Sequence, residues 1–174
     1  MTGMEGQVSI RKAALTAGLA LLALVIVAPF AELYVYPKLV VPENATATAA
    51  NISAHKGLFV AGIFAYLLSF LLDMVEAWAL YYVLKPVNAR LSLVTAAFRF
   101  IYAFVLLVAV LHLITAFWLF EPSNYLTGFT GAQVRQQAIL ELYTFRMIEH
   151  FGIAFFAVHL VLLGMLTLRS RYTP

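Results

Sequence analysis

The sequence predicts an all-α integral membrane protein, a bundle of four transmembrane helices plus a short external amphipathic helix. Two observations carry this prediction. Hydrophobic residues make up 64% of the 174 positions and charged residues only 11%, whereas soluble domains average roughly 45–50% and about 25%. Four stretches also reach about 20 mostly apolar residues, the length that crosses a bilayer. A water-soluble globule of this size could not bury so much apolar surface.

The four predicted spans cover about residues 13–36, 58–84, 91–120 and 148–168, within a single transmembrane domain over residues 1–174. The first span is longer than the roughly 7–15 apolar residues of a signal peptide, which favours a retained helix. No Gly/Ser-rich or Pro-rich linker divides the chain, so one domain is expected.

The sequence also predicts the structure of the segments that connect the spans. Pro37 to Lys56 is rich in Ala, Thr and Asn, which predicts an external loop. Only six residues, 85–90, separate spans two and three, so these spans should form an antiparallel hairpin. Thr130 followed by Gln133 is a capping-box pattern. It predicts an amphipathic helix over residues 131–145 that lies at the membrane surface and runs into span four.

Positive charge predicts the orientation of the spans. Six basic residues fall on one side of the predicted topology: Arg11, Lys12, Lys85, Arg90, Arg169 and Arg171. Four fall on the other: Lys38, Lys56, Arg135 and Arg146. The positive-inside bias therefore predicts a multi-pass protein of the cell membrane with cytoplasmic termini. The basic residues form no cluster of the kind that nucleic-acid binding requires, so no nucleic-acid partner is expected.

Ionisable residues inside a bilayer are costly and usually face the bundle interior. Asp73, Glu76 and Arg99 each lie 9 to 12 residues from the turn between spans two and three, so they share a depth. At helical spacing, Asp73 and Arg99 each fall on a small or polar face, as packing faces in membranes do. This predicts an Asp73–Arg99 ion pair with Glu76 and Tyr102 beside it. A structural clasp and a ligand, proton or substrate site are both open interpretations of this layer.

A second polar layer is predicted near the outer surface. Glu32 and His150 lie at similar distances from the cytoplasmic ends of their spans, and Arg146 is one turn further out. Both Glu32 and His150 share their faces with small residues, so both should point inward. A polar cavity open to the outside and a second helix–helix clasp are equally compatible with this pattern.

The other histidines predict no cofactor. His112 and His159 have bulky neighbours and are expected to face lipid or a partner chain as neutral side chains. His112 and His150 share a depth but should not face each other, so haem ligation is not expected. Glu149 and His150 are adjacent and would diverge on a helix, and no His-x-x-His or Glu-x-x-His spacing occurs. No metal site is predicted.

These features favour a non-catalytic membrane protein, either an accessory subunit or a binder of a lipid, quinone or other apolar molecule. Besides the bilayer, its partner would be a larger membrane complex or further copies of the chain. One alternative is a membrane enzyme that uses Asp73, Glu76 or His150 as acid or base on a lipid-like substrate. Another is a small transporter that works as an oligomer. No acid, base and nucleophile converge in the predicted topology, which favours the first hypothesis.

Four segments in order resemble a known family. They are Arg11-Lys12-Ala13-Ala14-Leu15, the Ala-x-x-Ala-Asn-Ile loop ending at Ile52, Leu84-Lys85-Pro86-Val87-Asn88, and Ala97-Phe98-Arg99-Phe100. Over nearly its whole length the chain is similar to the prokaryotic domain-of-unknown-function family 4386. The members of this family are small multi-helix membrane proteins. The resemblance implies the fold and marks Arg99 as a shared feature. In the family pattern an acidic residue often follows three positions later, where this chain has Tyr102. The resemblance implies no activity.

Overall fold

The computed structural model describes residues 10–121 and 128–170, and within those ranges every regular element is helical. The helices are α1 (Ile10–Pro29), α2 (Tyr36–Leu39), α3 (Ala45–Ala54), α4 (Lys56–Leu84), α5 (Ala89–Phe120) and α6 (Gly131–Arg169). A π-helical segment, Phe30–Val35, joins α1 to α2. Arg171, one of the charges used for the orientation, lies outside the described residues.

Four continuous helical rods are long and apolar enough to cross a membrane: Ile10–Leu39, Lys56–Leu84, Ala89–Phe120 and Gly131–Arg169. The prediction of an all-helical protein with four spans is confirmed. Each rod extends beyond the apolar stretch that identified it.

The helix predicted over residues 131–145 exists, but it continues into the fourth span without a break. Thr130 starts it with the predicted capping box, in which its side chain accepts from the backbone of Gln133 and the Gln133 side chain accepts from the backbone of Thr130. No Pro or Gly lies between Gly131 and Gly152, so nothing ends the helix at the membrane surface. The resulting α6 has 39 residues and is about 58 Å long, nearly twice the thickness of a hydrocarbon core.

The segment predicted as an external loop also contains helix. Glu43 has a φ of 59°, which turns the chain, and the Asn44 side chain then accepts from the Ala47 amide at 2.9 Å as an N-cap for α3. The Ala-rich sequence that follows has high helix propensity. The helix α3 packs against α2, α4, α5 and α6, so it covers one end of the bundle, called here the α3 end. The turn between α4 and α5 marks the opposite end, the turn end.

Buried positions recur every seven residues along the packed helices. In α6 they are Ala138, Phe145, Gly152, His159 and Leu166; in α5, Ser92, Arg99, Leu106 and Leu113; in α4, Phe59, Tyr66 and Asp73. A seven-residue repeat is the pattern of left-handed helix packing. The helices follow one another as a row, in which α4 packs against α1 and α5, and α5 packs against α4 and α6.

The two ends of the bundle have different interiors. At the α3 end the core is apolar and includes Val35, Leu39, Ile52, Phe59, Leu113 and Phe145. Toward the turn end the buried residues include Asp73, Glu76, Arg99 and His159. At Gly152 a β-carbon would lie 3.1 Å from Val105, which shows how closely α5 and α6 approach between these regions.

Candidate functional site

The inner cluster consists of Asp73, Glu76, Arg99 and His159. Arg99 on α5 donates to Asp73 Oδ1 from Nε at 3.1 Å and from Nη2 at 2.6 Å, and Nη2 donates to Glu76 Oε2 at 2.7 Å. The Arg99 and Asp73 side chains are only 4% and 5% exposed. The predicted ion pair, with Glu76 beside it, is confirmed. The charge-assisted hydrogen bonds replace the water that these groups lose on burial.

His159 completes the inner cluster. Its Nδ1 lies 2.9 Å from the Thr95 carbonyl oxygen and its Nε2 lies 3.2 Å from Arg99 Nη1. A carbonyl can only accept, so this geometry assigns the proton to Nδ1 and leaves Nε2 to accept from Arg99. The prediction that His159 faces lipid or a partner is wrong. Its heptad position, seven residues after the buried Gly152, points it at α5. The seven-residue repeat, and not the size of the neighbouring residues, determines which way it faces.

Aromatic rings cover the inner cluster. The Arg99 guanidinium lies 5.3 Å from the Phe156 ring centroid, and that ring also lies against His159. Tyr102, predicted beside the ion pair, has its ring centroid 4.9 Å from that of Phe156. Tyr102 therefore contributes a contact with the ring that lies against the Arg99 guanidinium.

The outer cluster consists of Glu32, Tyr66, Arg146 and Glu149. Arg146 Nη1 on α6 donates to Glu32 Oε1 and lies 3.4 Å from Glu149 Oε2. The Tyr66 hydroxyl donates to Glu32 Oε2 at 2.7 Å. Glu32 and Arg146 meet, although Arg146 was expected one turn further out than Glu32, and they are 31% and 28% exposed, far more than the inner pair.

The position of Glu32 follows from the local backbone. Pro29 has no amide hydrogen to donate within a helix, and the next turn is the π-helical segment that carries Glu32. A β-carbon at Gly62 would lie 2.7 Å from Val35 Cγ1, so only glycine lets α4 approach this segment so closely. Arg146 also lies 4.6 Å from the Tyr36 ring centroid.

His150 does not belong to this cluster as predicted. Its side chain is 61% exposed, and its Nδ1 lies 2.7 Å from the Arg146 carbonyl of its own helix. The prediction that His150 points inward is wrong, because the small residues on its face, Ala154 and Ala157, are themselves exposed. Glu149 takes the inward position, with Oε2 3.2 Å from His150 Nδ1.

His112 also has a partner that sequence reasoning missed. Its Nδ1 lies 2.6 Å from Glu141 Oε2 on α6, and Gln137 donates to the other oxygen of Glu141 at 2.9 Å. The prediction that His112 faces lipid or another chain is therefore wrong. Within residues 10–121 and 128–170, no three His, Cys, Asp or Glu side chains converge as a metal site would require.

A cavity of about 340 Å³ has walls from both clusters. Its walls come from all four spans, and its charged lining residues are Glu32, Asp73, Arg99 and Glu149. Leucine, valine and aromatic side chains supply most of the remaining surface. Small-molecule sites in proteins are mostly apolar clefts of about 300–1,000 Å³ with a few polar groups, so this cavity has the size and the character of a binding site.

The family model described as "Domain of unknown function (DUF4386)" matches residues 16–174. The chain belongs to this family. The match begins within α1 and includes every residue of both clusters, and it confirms the resemblance found in the sequence. Membership in DUF4386 brings no activity with it.

A protein of Archaeoglobus fulgidus described as "Uncharacterized protein" is 32% identical to the chain over 117 residues. The alignment includes 66% of this chain and 53% of that protein, so the chain spans about half the length of the curated relative that it matches. No solved structure matches the chain. The cavity and its two clusters are therefore the features of this chain that indicate a function.

Proposed function

We propose that this DUF4386 protein binds one apolar or lipid-like molecule in the cavity and does not transform it. The observation that carries the proposal is the cavity itself, about 340 Å³ in volume and lined by all four spans. Leu24, Leu106 and Phe156 are among its apolar walls, which suit an alkyl chain. The charged residues on its walls suit a polar group attached to that chain.

The order of the helices supports entry from the bilayer. In the row of helices, α1 packs mainly against α4 and α6 mainly against α5. Residues of both α1 and α6 line the cavity, so it lies between the two ends of the row. A molecule dissolved in the bilayer would pass between α1 and α6 and reach the cavity without crossing water.

The side chains on the walls favour binding over catalysis. A transfer reaction needs a nucleophile activated by a neighbouring base. Ser69 is a hydroxyl residue of the cavity wall, and its Oγ donates to the Ala65 carbonyl of its own helix at 2.9 Å. The nearby imidazole, His159, is already bonded on both ring nitrogens. An accessory role in a larger complex, or self-assembly, would use the outward faces of α1 and α6.

The test uses a photoreactive dodecanol that carries a diazirine, with the protein in phosphatidylcholine nanodiscs. We expect labelling of cavity residues on α5 and α6 to saturate near one probe per chain and to be displaced by unlabelled dodecanol. Ala28 lies on the cavity wall, so Ala28→Trp should abolish this labelling by filling the space. Leu22→Trp is the matched control, because Leu22 is on the same helix and 65% exposed.

Labelling that rises linearly with probe concentration, equal in both tryptophan variants, would show only contact with bulk lipid and would overturn the proposal. Mapping by mass spectrometry to single residues separates these outcomes, because cavity residues such as Tyr102 and exposed residues such as Ile101 are neighbours in the same helix.

We further infer that both termini face the cytoplasm of a cell membrane, on the basis of the Lys and Arg distribution. The chain has no cysteine, so each introduced cysteine is unique. Cysteines at Ala47 and Gly128 should react with an impermeant maleimide on intact cells, and a cysteine at Asn88 should react only after lysis. The reverse pattern would invert the orientation.

A further inference from the structure

We propose that the cavity selects amphiphiles with a single cationic head group, a protonated amine or a quaternary ammonium. This inference rests on the proposed function and specifies the ligand class. It follows from the balance of charge on the walls, from the hydrogen bonds that already engage Arg99, and from the aromatic rings between the clusters.

The walls carry more acidic side chains than basic ones. Among the cavity-lining residues, Glu32, Asp73 and Glu149 are carboxylates and only Arg99 is a guanidinium. The two complete clusters add Glu76 and Arg146, so four carboxylates face two guanidinium groups. His159 is neutral in the tautomer that its hydrogen bonds define. A protonated His150 could balance one carboxylate through Glu149. At least one carboxyl group then has no basic side chain to balance it, and a bound cation would stabilise its ionised form.

The Arg99 guanidinium is unavailable to an anionic head group. Its Nε and Nη2 donate to Asp73 and Glu76, and its Nη1 contacts His159. A phosphate or carboxylate that approached it from the cavity would lie close to Asp73, which lines the same wall, and like charges in a low-dielectric site repel strongly. Both N–H groups that reach Asp73 donate to the same oxygen, Oδ1. Arg99 therefore makes no hydrogen bond to the other oxygen of Asp73, a residue that lines the cavity.

Aromatic rings complete a cation site. Tyr66, Tyr102 and Phe156 line the cavity beside the charged residues, and Phe156 already lies against one cation, Arg99. Ring faces attract alkylammonium groups within about 6 Å, and this attraction is larger where water is excluded. The head group would lie between Asp73 and Glu149, with its alkyl chain along the leucines of α1.

The experiment measures displacement of the photoreactive dodecanol from the protein in phosphatidylcholine nanodiscs by dodecyltrimethylammonium and by dodecyl sulfate. Partition of each competitor into empty nanodiscs gives its concentration in the lipid. We expect the ammonium compound to displace the probe at a concentration at least about tenfold lower than the sulfate. The comparison uses the wild-type protein, so it does not depend on the folding of a variant.

Two variants locate the effect. Glu149→Gln should remove most of the roughly tenfold preference for the ammonium compound. Glu141→Gln is the matched control, since Glu141 lies on the same helix two turns away, is partly buried with His112, and does not line the cavity. This control should keep the preference.

Equal displacement by the two competitors, or equal losses in both variants, would overturn the cation preference while saturable dodecanol labelling upheld the proposed function. Absence of saturable labelling would overturn the proposed function and this inference together.

Discussion

The inner and outer clusters hold the same charged groups in different surroundings. Each has two carboxylates around one guanidinium, and the inner one adds His159 where the outer one adds Tyr66. The inner ion pair is almost fully buried between regular helices. The outer pair is about one third exposed, and its Glu32 lies on a π-helical segment.

This difference in burial assigns the clusters different roles. Removing one partner of a buried pair leaves an uncompensated charge and costs about 3–5 kcal/mol, whereas exposed pairs contribute about 0.2–1 kcal/mol. The inner cluster therefore fixes the register of α4, α5 and α6. The outer cluster can separate at small cost, so the end of the cavity near Glu32 is where the bundle opens most easily.

The largest effect is expected for Arg99→Leu, which leaves Asp73 and Glu76 buried without a cation. The free energy of unfolding, from SDS titration in mixed micelles followed by tryptophan fluorescence, should fall by about 3–5 kcal/mol. Arg90→Leu removes the same charge from an exposed position and should change it by less than about 0.5 kcal/mol. Equal effects of the two changes would contradict a structural role for the buried pair of Asp73 and Arg99.

Replacement of His159 by phenylalanine keeps the ring but removes both hydrogen bonds of the buried imidazole. The unfolding free energy should fall by about 1–3 kcal/mol, because Arg99 loses an acceptor in a site without water. His112→Phe is the control, since His112 bonds Glu141 in a site where it is 31% exposed. A larger loss in His112→Phe would show that burial of the histidine does not determine how much unfolding free energy its hydrogen bonds contribute.

A third change tests how the outer cluster is positioned. Gly62→Ala places a β-carbon against Val35 and should displace the π-helical segment that carries Glu32, with a loss of about 1–3 kcal/mol. Val35→Ala introduced into the same chain should recover part of it. Gly18 has no atom within 4 Å of its would-be β-carbon, so Gly18→Ala should be neutral or slightly stabilising. A Gly62→Ala protein as stable as wild type would rule out the close approach of α4 to the π-helical segment at Val35.

The smallest effect is expected for Arg146→Gln. Because its pair with Glu32 is partly exposed, the loss in unfolding free energy should stay below about 1 kcal/mol. The solvent accessibility of residues 30–39 should change more than the stability of the whole protein. Hydrogen exchange of the backbone amides of residues 30–39 should accelerate, and unchanged exchange would show that Arg146 does not hold this segment.

The four spans, the capping box at Thr130 and the Asp73–Arg99 pair could be predicted because each depends on local composition or on depth counted from a short turn. The same count placed Glu32 and Arg146 in the outer layer, but it put His150, not Arg146, at the depth of Glu32. These predictions needed only that a charge within the bilayer must find a partner.

The histidines were misplaced because their faces were assigned from the size of neighbouring residues. The small residues beside His150 suggested an inward face, but the face of α6 that carries Ala154 and Ala157 is exposed. The buried stripe follows the seven-residue repeat through Phe145, Gly152 and His159, which was visible in the sequence. The π-helical turn shifts residues after Pro29 relative to α-helical spacing, and the cavity depends on the positions of all four spans together.

The most direct test compares coupling energies in the two clusters. Double-mutant cycles would combine Asp73→Asn with Arg99→Leu in the inner cluster and Glu32→Gln with Arg146→Gln in the outer one, with unfolding free energy as the readout. We expect a coupling of about 2 kcal/mol or more in the inner cluster, where the double variant recovers part of the loss, and below about 0.5 kcal/mol in the outer cluster. Additive losses in the inner cluster, or a larger coupling in the outer one, would contradict the account.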